Sequence, residues 1–179
     1  MDLLEVFKKR RSIRKYKATP IEKEKLFRVL EAGRLAPSAA NKQPWYFVVV
    51  DNEEVKKKLF NAYPSEWFIK APVIIVACAD PSLAWRRKDG EEYWKVDLAI
   101  AIEHIVLQAY SEGLGTCWVC AFNEAEAKKA LNIPEGIRVV AMIPMGYPDE
   151  EKGEVTNRKQ LKEIVFMNSW GNICEELLT

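Results

Sequence analysis

Histidine is nearly absent from these 179 residues, with His104 the single example, and cysteine is scarce at four: Cys78, Cys117, Cys120 and Cys174. So little imidazole and thiolate argues against a zinc or other metal centre, which needs several such ligands close together. Four cysteines are also too few for a disulfide scaffold at this length. Cys78 and Cys117 lie in apolar runs, where a cysteine behaves as a small hydrophobe. Net charge is missing too, because 27 Lys and Arg against 26 Asp and Glu leave only +1. No global field therefore favours nucleic acid or an anionic membrane. Long apolar runs are lacking: Val73 to Ala79 is the longest, far short of the ~20 residues that span a bilayer. The N-terminus, Met1-Asp2-Leu3-Leu4-Glu5, is amphipathic and has no signal-peptide core. The expectation is a soluble, cytoplasmic protein with one domain over residues 1–179, a length that supports one substantial core.

What is present is a regular alternation of helix and strand signals. Asp2 and Glu5 read as a capping-box start for a helix ending near Lys9. Thr19-Pro20-Ile21-Glu22 reads as the opening of a second helix, with Leu26, Val29, Leu30 and Gly33 on its inner face and Pro37 ending it. Ser38 to Pro44 is a loop, and Trp45 to Val50 is a β-branched and aromatic strand. Asp51 or Asn52 caps a helix to about Asn61, and Val73 to Ala79 is a strand covered on both faces. Asp80 to Tyr93 is charged, holds Pro81 and Gly90, and reads as a mobile loop or lid. Trp94 to Glu112 is the strongest helix, apolar over so much of its circumference that it belongs in the core or at a subunit interface. Gly113-Leu114-Gly115 stops it. Thr116 to Phe122 then reads as a strand, Asn123 to Glu126 as a capping box opening a helix that ends before Pro134, and Val139 to Tyr147 as the last strand. From Pro148 the polar sequence reads as a surface arm whose Leu161 to Met167 packs on a neighbour. This pattern implies an α+β sandwich, one sheet with helices on its faces.

Four segments can carry chemistry. Arg10-Arg11-Ser12-Ile13-Arg14 offers forked guanidinium donors suited to phosphate oxygens. The competing reading is a solvated basic patch or a nucleic-acid contact, since seven of residues 8–17 are Lys or Arg. Ala36-Pro37-Ser38-Ala39-Ala40-Asn41-Lys42-Gln43-Pro44 has small residues that admit a ligand to the backbone and polar ones that bond ring edges. Gly113-Leu114-Gly115-Thr116-Cys117-Trp118 has a glycine pair that permits close backbone approach to a flat ring, or else simply caps the long helix. Ile143-Pro144-Met145-Gly146-Tyr147-Pro148, with Arg158 and Lys159 beyond, places a glycine at a strand end and cations on its return. Two further features read as structural. The Cys117 and Cys120 pair sits in strand context, where positions three apart face opposite sides, and lacks the helix N-terminus a redox dithiol uses. His104, within the long helix, reads as a packed histidine.

In this order and spacing, RRSIRKY, APSAANKQPW, VDLAIAIEHIVLQAYSEGLGTCW, IPMGYP and NRKQLKEIV resemble the FMN-dependent nitroreductase family over nearly the whole chain. The resemblance implies a nitroreductase-like sandwich, one mixed and mostly antiparallel sheet, in a domain-exchanged homodimer with FMN at the subunit interface. It implies that Arg10, Ser12 and Arg14 contact the phosphate, ribityl chain and pyrimidine edge of FMN, with Arg11 adjacent and Arg14 tuning N1–O2. It places Pro37, Ser38 and Asn41 at the partner's FMN, Gly115 and Thr116 along the ring, Met145 and Gly146 near N5, and Arg158 with Lys159 at the phosphate. The implied activity passes hydride from NAD(P)H through the flavin to nitroaromatics, quinones or similar electrophiles by a ping-pong route, the cofactor doing the chemistry. Ala39 stands where the family often has a second serine, and Met145 where larger members carry a glutamate. A specialised flavoenzyme of the same fold, a dehalogenase or flavin-consuming enzyme, is the alternative. A nucleic-acid or anion-binding module using Lys8 to Lys17 is the other.

Overall fold

In the computed structural model, which describes residues 2–173, the chain is built on four strands in the order β1-β2-β4-β3. These are β1 (Trp45–Val50), β2 (Val73–Ala79), β3 (Gly115–Thr116) and β4 (Arg138–Gly146). Every pairing within the sheet is antiparallel, and the parallel element is an isolated bridge from Ser12 to Thr116. Cys174 and the rest of the C-terminus lie outside the described residues.

The central strand shows why both faces are covered. Alternate side chains of a strand point to opposite faces. Val73, Ile75, Ala77 and Ala79 therefore join one buried cluster, and Ile74, Val76 and Cys78 another. The first cluster packs beneath α2 (Lys23–Arg34) and α5 (Trp94–Ser111). Leu98, Ala101, Ile102, Ile105 and Ala109 of α5 are completely buried there. Gly33 of α2 is required by that crossing, since a Cβ on it would lie 2.8 Å from the Ile105 side chain. His104 belongs to the same contact, its Nδ1 lying 3.3 Å from the Ala32 carbonyl. The second cluster sits under α3 (Glu53–Leu59), α4 (Glu66–Ile69) and α6 (Glu124–Leu131), with Leu59 and Phe68 fully buried. Buried side chains of this size each stabilise by roughly 1.5–3 kcal/mol.

Several expectations change in detail. Helix α1 (Leu3–Lys9) forms, but Asp2 makes no side-chain cap; Glu5 pairs instead with Lys8 and Lys9. Helix α2 begins only at Lys23, because Glu22 remains extended at φ −63°, ψ 138°. Asn52 caps α3 as expected, accepting from the Glu54 and Val55 amides. The expected strand from Thr116 to Phe122 shortens to β3, after which only Val119 bridges β4, through Met142. Asn123 accepts from the Glu126 amide to open α6, and Asn132 closes it in the left-handed conformation. The segment from Asp80 to Tyr93 makes contacts with itself: Trp85 and Tyr93 stack edge to face, Arg86 bonds Glu92, and Arg87 bonds Asp89. No described helix is long and apolar enough to cross a membrane.

Candidate functional site

The basic segment after α1 runs beside β3 and is pinned there by backbone bonds. The Ile13 amide donates to the Thr116 carbonyl at 2.8 Å, and the Lys17 amide to Tyr147 at 2.9 Å. Tyr16 adds a side-chain anchor, its one hydroxyl proton donated to the Ile13 carbonyl at 2.6 Å, with the Pro144 carbonyl 3.1 Å away sharing it. Burial holds that phenol protonated, well above the ordinary tyrosine range. Gly115 permits this approach. A Cβ there would stand 2.7 Å from Ile13, closer than side chains pack.

Between this segment, the C-terminal end of α5 and the arm after β4 lies a cleft of about 600 Å³, within the range of small-molecule sites. One wall is cationic, made by Lys9, Arg10, Arg11 and Lys152. The other is backbone and apolar surface from Tyr110, Gly113, Leu114, Gly115 and Thr116. The arm closes the third side. Arg11 bonds the Gly153 carbonyl, Lys152 Nζ donates to the Ser12 carbonyl at 2.7 Å, and the Asp149 amide donates to Lys15 at 2.9 Å. Glu150 accepts from the Arg14 amide and pairs with Lys152 at 3.0 Å. The Arg14 amide and then Lys152 hold the Glu150 carboxyl below the usual carboxylate range.

A profile of the nitroreductase family matches residues 7–65 and 61–147, which include the cleft residues from Lys9 to Thr116 but not those of the arm. The chain belongs to the nitroreductase family. Its solved neighbours agree. A nitroreductase family protein of Clostridium difficile 630 superposes with a TM-score of 0.86 at 33% identity, over 94% of this chain and 99% of that one. An FMN-dependent nitroreductase of Clostridium difficile R20291 gives 0.77 at 36% identity, over 93% and 99%. A Methanothermobacter thermautotrophicus protein, provisionally named NADH dehydrogenase/NAD(P)H nitroreductase, is 38% identical over 86% of this chain and 81% of its own length.

For a nitroreductase-family chain, the expected site residues divide sharply in space. Arg10, Arg11, Gly115 and Thr116 line the cleft. Ser12 does not line it; its carbonyl accepts from Lys152, which does. The side chain of Arg14 points elsewhere, its guanidinium 5.8 Å from the centre of the Trp67 ring, while its amide serves Glu150. Met145 is completely buried in the core. Gly146 is packed closely, since a Cβ would meet the Pro72 ring at 2.5 Å. Arg158 lies next door, sharing a shallow hollow with Phe7, Lys8, Arg10 and Glu103. Lys159 is exposed and lines neither surface.

Pro37, Ser38 and Asn41 are in a separate turn that a single chain does not bring to the cleft. That turn is conformationally unusual. Ala40, Asn41 and Gln43 have φ of 50°, 54° and 48°, in the left-handed region that costs most side chains energy. Among the bonds that hold it, two are made by side-chain oxygens. Ser38 Oγ accepts from the Gln43 amide at 2.9 Å, and Asp97 Oδ1 accepts from the Ala39 amide at 2.8 Å. Asp97 is 1% exposed, and its other oxygen meets no hydrogen-bond partner among the described residues. Leaving such a group unpaired costs roughly 1–3 kcal/mol. Sequence reasoning missed both Asp97 and Lys152. An acidic residue in the apolar face of α5 was a usable signal for the first; nothing local marked the second.

Proposed function

We propose that this protein is an FMN-dependent oxidoreductase that draws on NAD(P)H and reduces small electrophiles such as nitroaromatics or quinones. The observation that carries the reading is the cleft itself. A cluster of guanidinium and ammonium groups sits directly beside a glycine-containing backbone wall, the donor set that a phosphate joined to a flat ring requires. Lys9, Arg10 and Arg11 fit a phosphoryl group; Ile13, Tyr110 and Leu114 supply apolar surface at the other end of the same cleft. When bound, FMN supplies the hydride chemistry, taking it from NAD(P)H and passing electrons to an acceptor in alternating half-reactions. The chain's residues position and polarise. Arg10 and Arg11 hold the phosphate, with Ser12 beside them and Arg158 and Lys159 closing from the arm. The Gly115 and Thr116 backbone orients the ring.

In the same reading two chains form a domain-exchanged homodimer. Pro37, Ser38 and Asn41 reach the partner's flavin, and Arg14 swings to the N1–O2 edge. Exposed Leu3, Leu4 and Phe7 on α1, with Leu161 and Ile164 in the arm, provide apolar surface for that association. The backbone of Met145 and Gly146, at the end of β4, approaches the N5 side of the ring.

The deciding experiment is an absorbance spectrum of the purified protein. A flavin band that bleaches anaerobically with NADH or NADPH and returns on adding a nitroaromatic supports the reading, with parallel-line initial-rate kinetics. A colourless protein that takes up no added FMN overturns it. Acceptor comparison against halogenated aromatics separates a nitroreductase from a dehalogenase of the same fold.

A further inference from the structure

The arm brings two carboxylates, Glu150 and Glu151, to the cationic site. Glu150 takes two donors at the cleft, the Arg14 amide and the Lys152 ammonium, 3.0 Å away. Lys152 in turn reaches the Ser12 carbonyl at 2.7 Å, next to Arg11, whose guanidinium holds the Gly153 carbonyl. Both Lys152 and Glu150 are about three-quarters buried, at 24% and 25% side-chain exposure, and both line the cleft with Lys9, Arg10 and Arg11. Such a partly desolvated ammonium is a stronger electrostatic partner than a surface lysine.

We propose that Lys152 is a binding residue for the ligand's phosphoryl group, and that Glu150 is the internal anion which that group displaces. The inference rests on the flavin reading given above. A phosphate entering beside Arg10 and Arg11 meets the ammonium of Lys152 and the carboxylate of Glu150 in the same small volume. Two anions cannot share one ammonium there without mutual repulsion, so the carboxylate gives way. Freed, the arm from Pro148 to Gly153 is bound to the ligand instead of to Glu150's donors. Lys152 thus favours the phosphorylated form of the cofactor, and Glu150 sets how tightly it is held.

The test compares Lys152→Gln and Glu150→Gln with the wild type, titrating apoprotein with FMN and, separately, with riboflavin, and following quenching of flavin fluorescence. The glutamine at 150 keeps an acceptor for the Arg14 amide while removing the charge. Lys152→Gln is expected to weaken FMN by about tenfold, as loss of a charge-assisted bond does, and to leave riboflavin within about twofold. Glu150→Gln is expected to tighten FMN several-fold at low salt, with the gain shrinking as salt screens the site. Thermal melts of both apoproteins are expected to match the wild type. Equal weakening of both flavins by Lys152→Gln, or no tightening by Glu150→Gln, overturns the inference while leaving the flavin reading intact. A wild type that binds neither flavin sinks the reading and the inference together.

Discussion

The two ends of helix α5 use charge in opposite ways. At the N-terminal end Asp97 is buried, has one hydrogen bond, and clasps a turn with three left-handed residues. At the C-terminal end Tyr110, Ser111 and the glycines that follow face an open cleft whose charges are all partly hydrated. Charges in contact with water are inexpensive for the fold, so the cleft can collect four cations without a large stability penalty. A buried carboxyl with an unpartnered oxygen is not. The contrast teaches where geometry is enforced: backbone bonds to Thr116 and Tyr147 anchor the cleft's basic segment, while side chains, Asp97 and Ser38 among them, clasp the turn.

The largest effect is expected where the cleft's backbone is broken. Gly115→Val places a branched side chain where even a Cβ is 2.7 Å from Ile13, and Ile13 is itself buried. The basic segment must lift from β3, at about 1–3 kcal/mol and a fall in melting temperature of roughly 5 °C. Retained flavin should fall with it. Gly113→Ala is the control: nothing lies within 4 Å of its Cβ position, so only its φ of +79° resists substitution. A melt for Gly115→Val equal to that of Gly113→Ala would show that close approach, and with it the backbone half of the contrast, is unimportant.

The next effect has the other sign. Asp97→Asn keeps an oxygen for the Ala39 amide and replaces the unpartnered carboxyl oxygen by a neutral amide. Apoprotein stability is expected to rise by roughly 1 kcal/mol, seen as a melting temperature about 2–4 °C higher. Asp97→Ala, by contrast, releases the Ala39 amide, which should lose its protection in hydrogen exchange. A drop in stability for Asp97→Asn would mean the second oxygen is satisfied and that the two ends of α5 do not differ in kind.

How far the sequence revealed this arrangement follows the same division. Strands β1 and β2 were legible to the residue, because a continuous β-branched run leaves no other period to read. The segment after Thr116 was over-read. Its residues have strand composition, but beyond β3 the ladder is held only at the Cys117 amide and by the mutual bonds of Val119 and Met142. The start of α2 was placed too early, since the Thr19-Pro20 signal was a good cap that the chain does not use. Helix α4, four residues long, has too few turns to show a period. Within the site, Arg10, Arg11, Gly115 and Thr116 could be recognised because they belong to ordered motifs. Arg14 could not be placed, since Trp67 captures its guanidinium from an element distant in sequence. Lys152 was invisible because its role depends on where a polar arm lies, and arms carry no periodicity.

A smaller effect separates the arm from the core by pH. Glu150 is held below its ordinary pKa by the Arg14 amide and Lys152. Its contribution is therefore complete above the ordinary carboxylate range and is lost as pH falls through the lowered folded value. Asp149, lowered by Lys15, follows the same course. Limited proteolysis of the arm is expected to accelerate on acidification below about pH 4 while the core still resists. In Glu150→Gln the part due to Glu150 should vanish. Cleavage of the arm and core at one common pH would refute a separately titrating arm.

The smallest expected effect is on catalysis itself, and it uses two cysteines that repeat the contrast over three residues. Cys117 is buried beside Ser12, and burial raises its thiol pKa even though Arg14, Lys152 and Arg10 pull the other way. Cys120 is exposed. Cys78 is buried further, its thiol pushed up to about 12. Since the thiolate is the reactive form, iodoacetamide at pH 8 should modify Cys120 quickly and reach Cys78 and Cys117 only after unfolding, as peptide mass spectrometry would show. Cys117 is buried and Cys120 exposed, so mild oxidation should give no bond between them. Cys120→Ser is then expected to leave flavin reduction by NAD(P)H unchanged. An intramolecular Cys117–Cys120 disulfide, or a slowed reductive half-reaction in that variant, would make the thiols part of the electron path and end the separation between a buried frame and an open, charge-lined cleft.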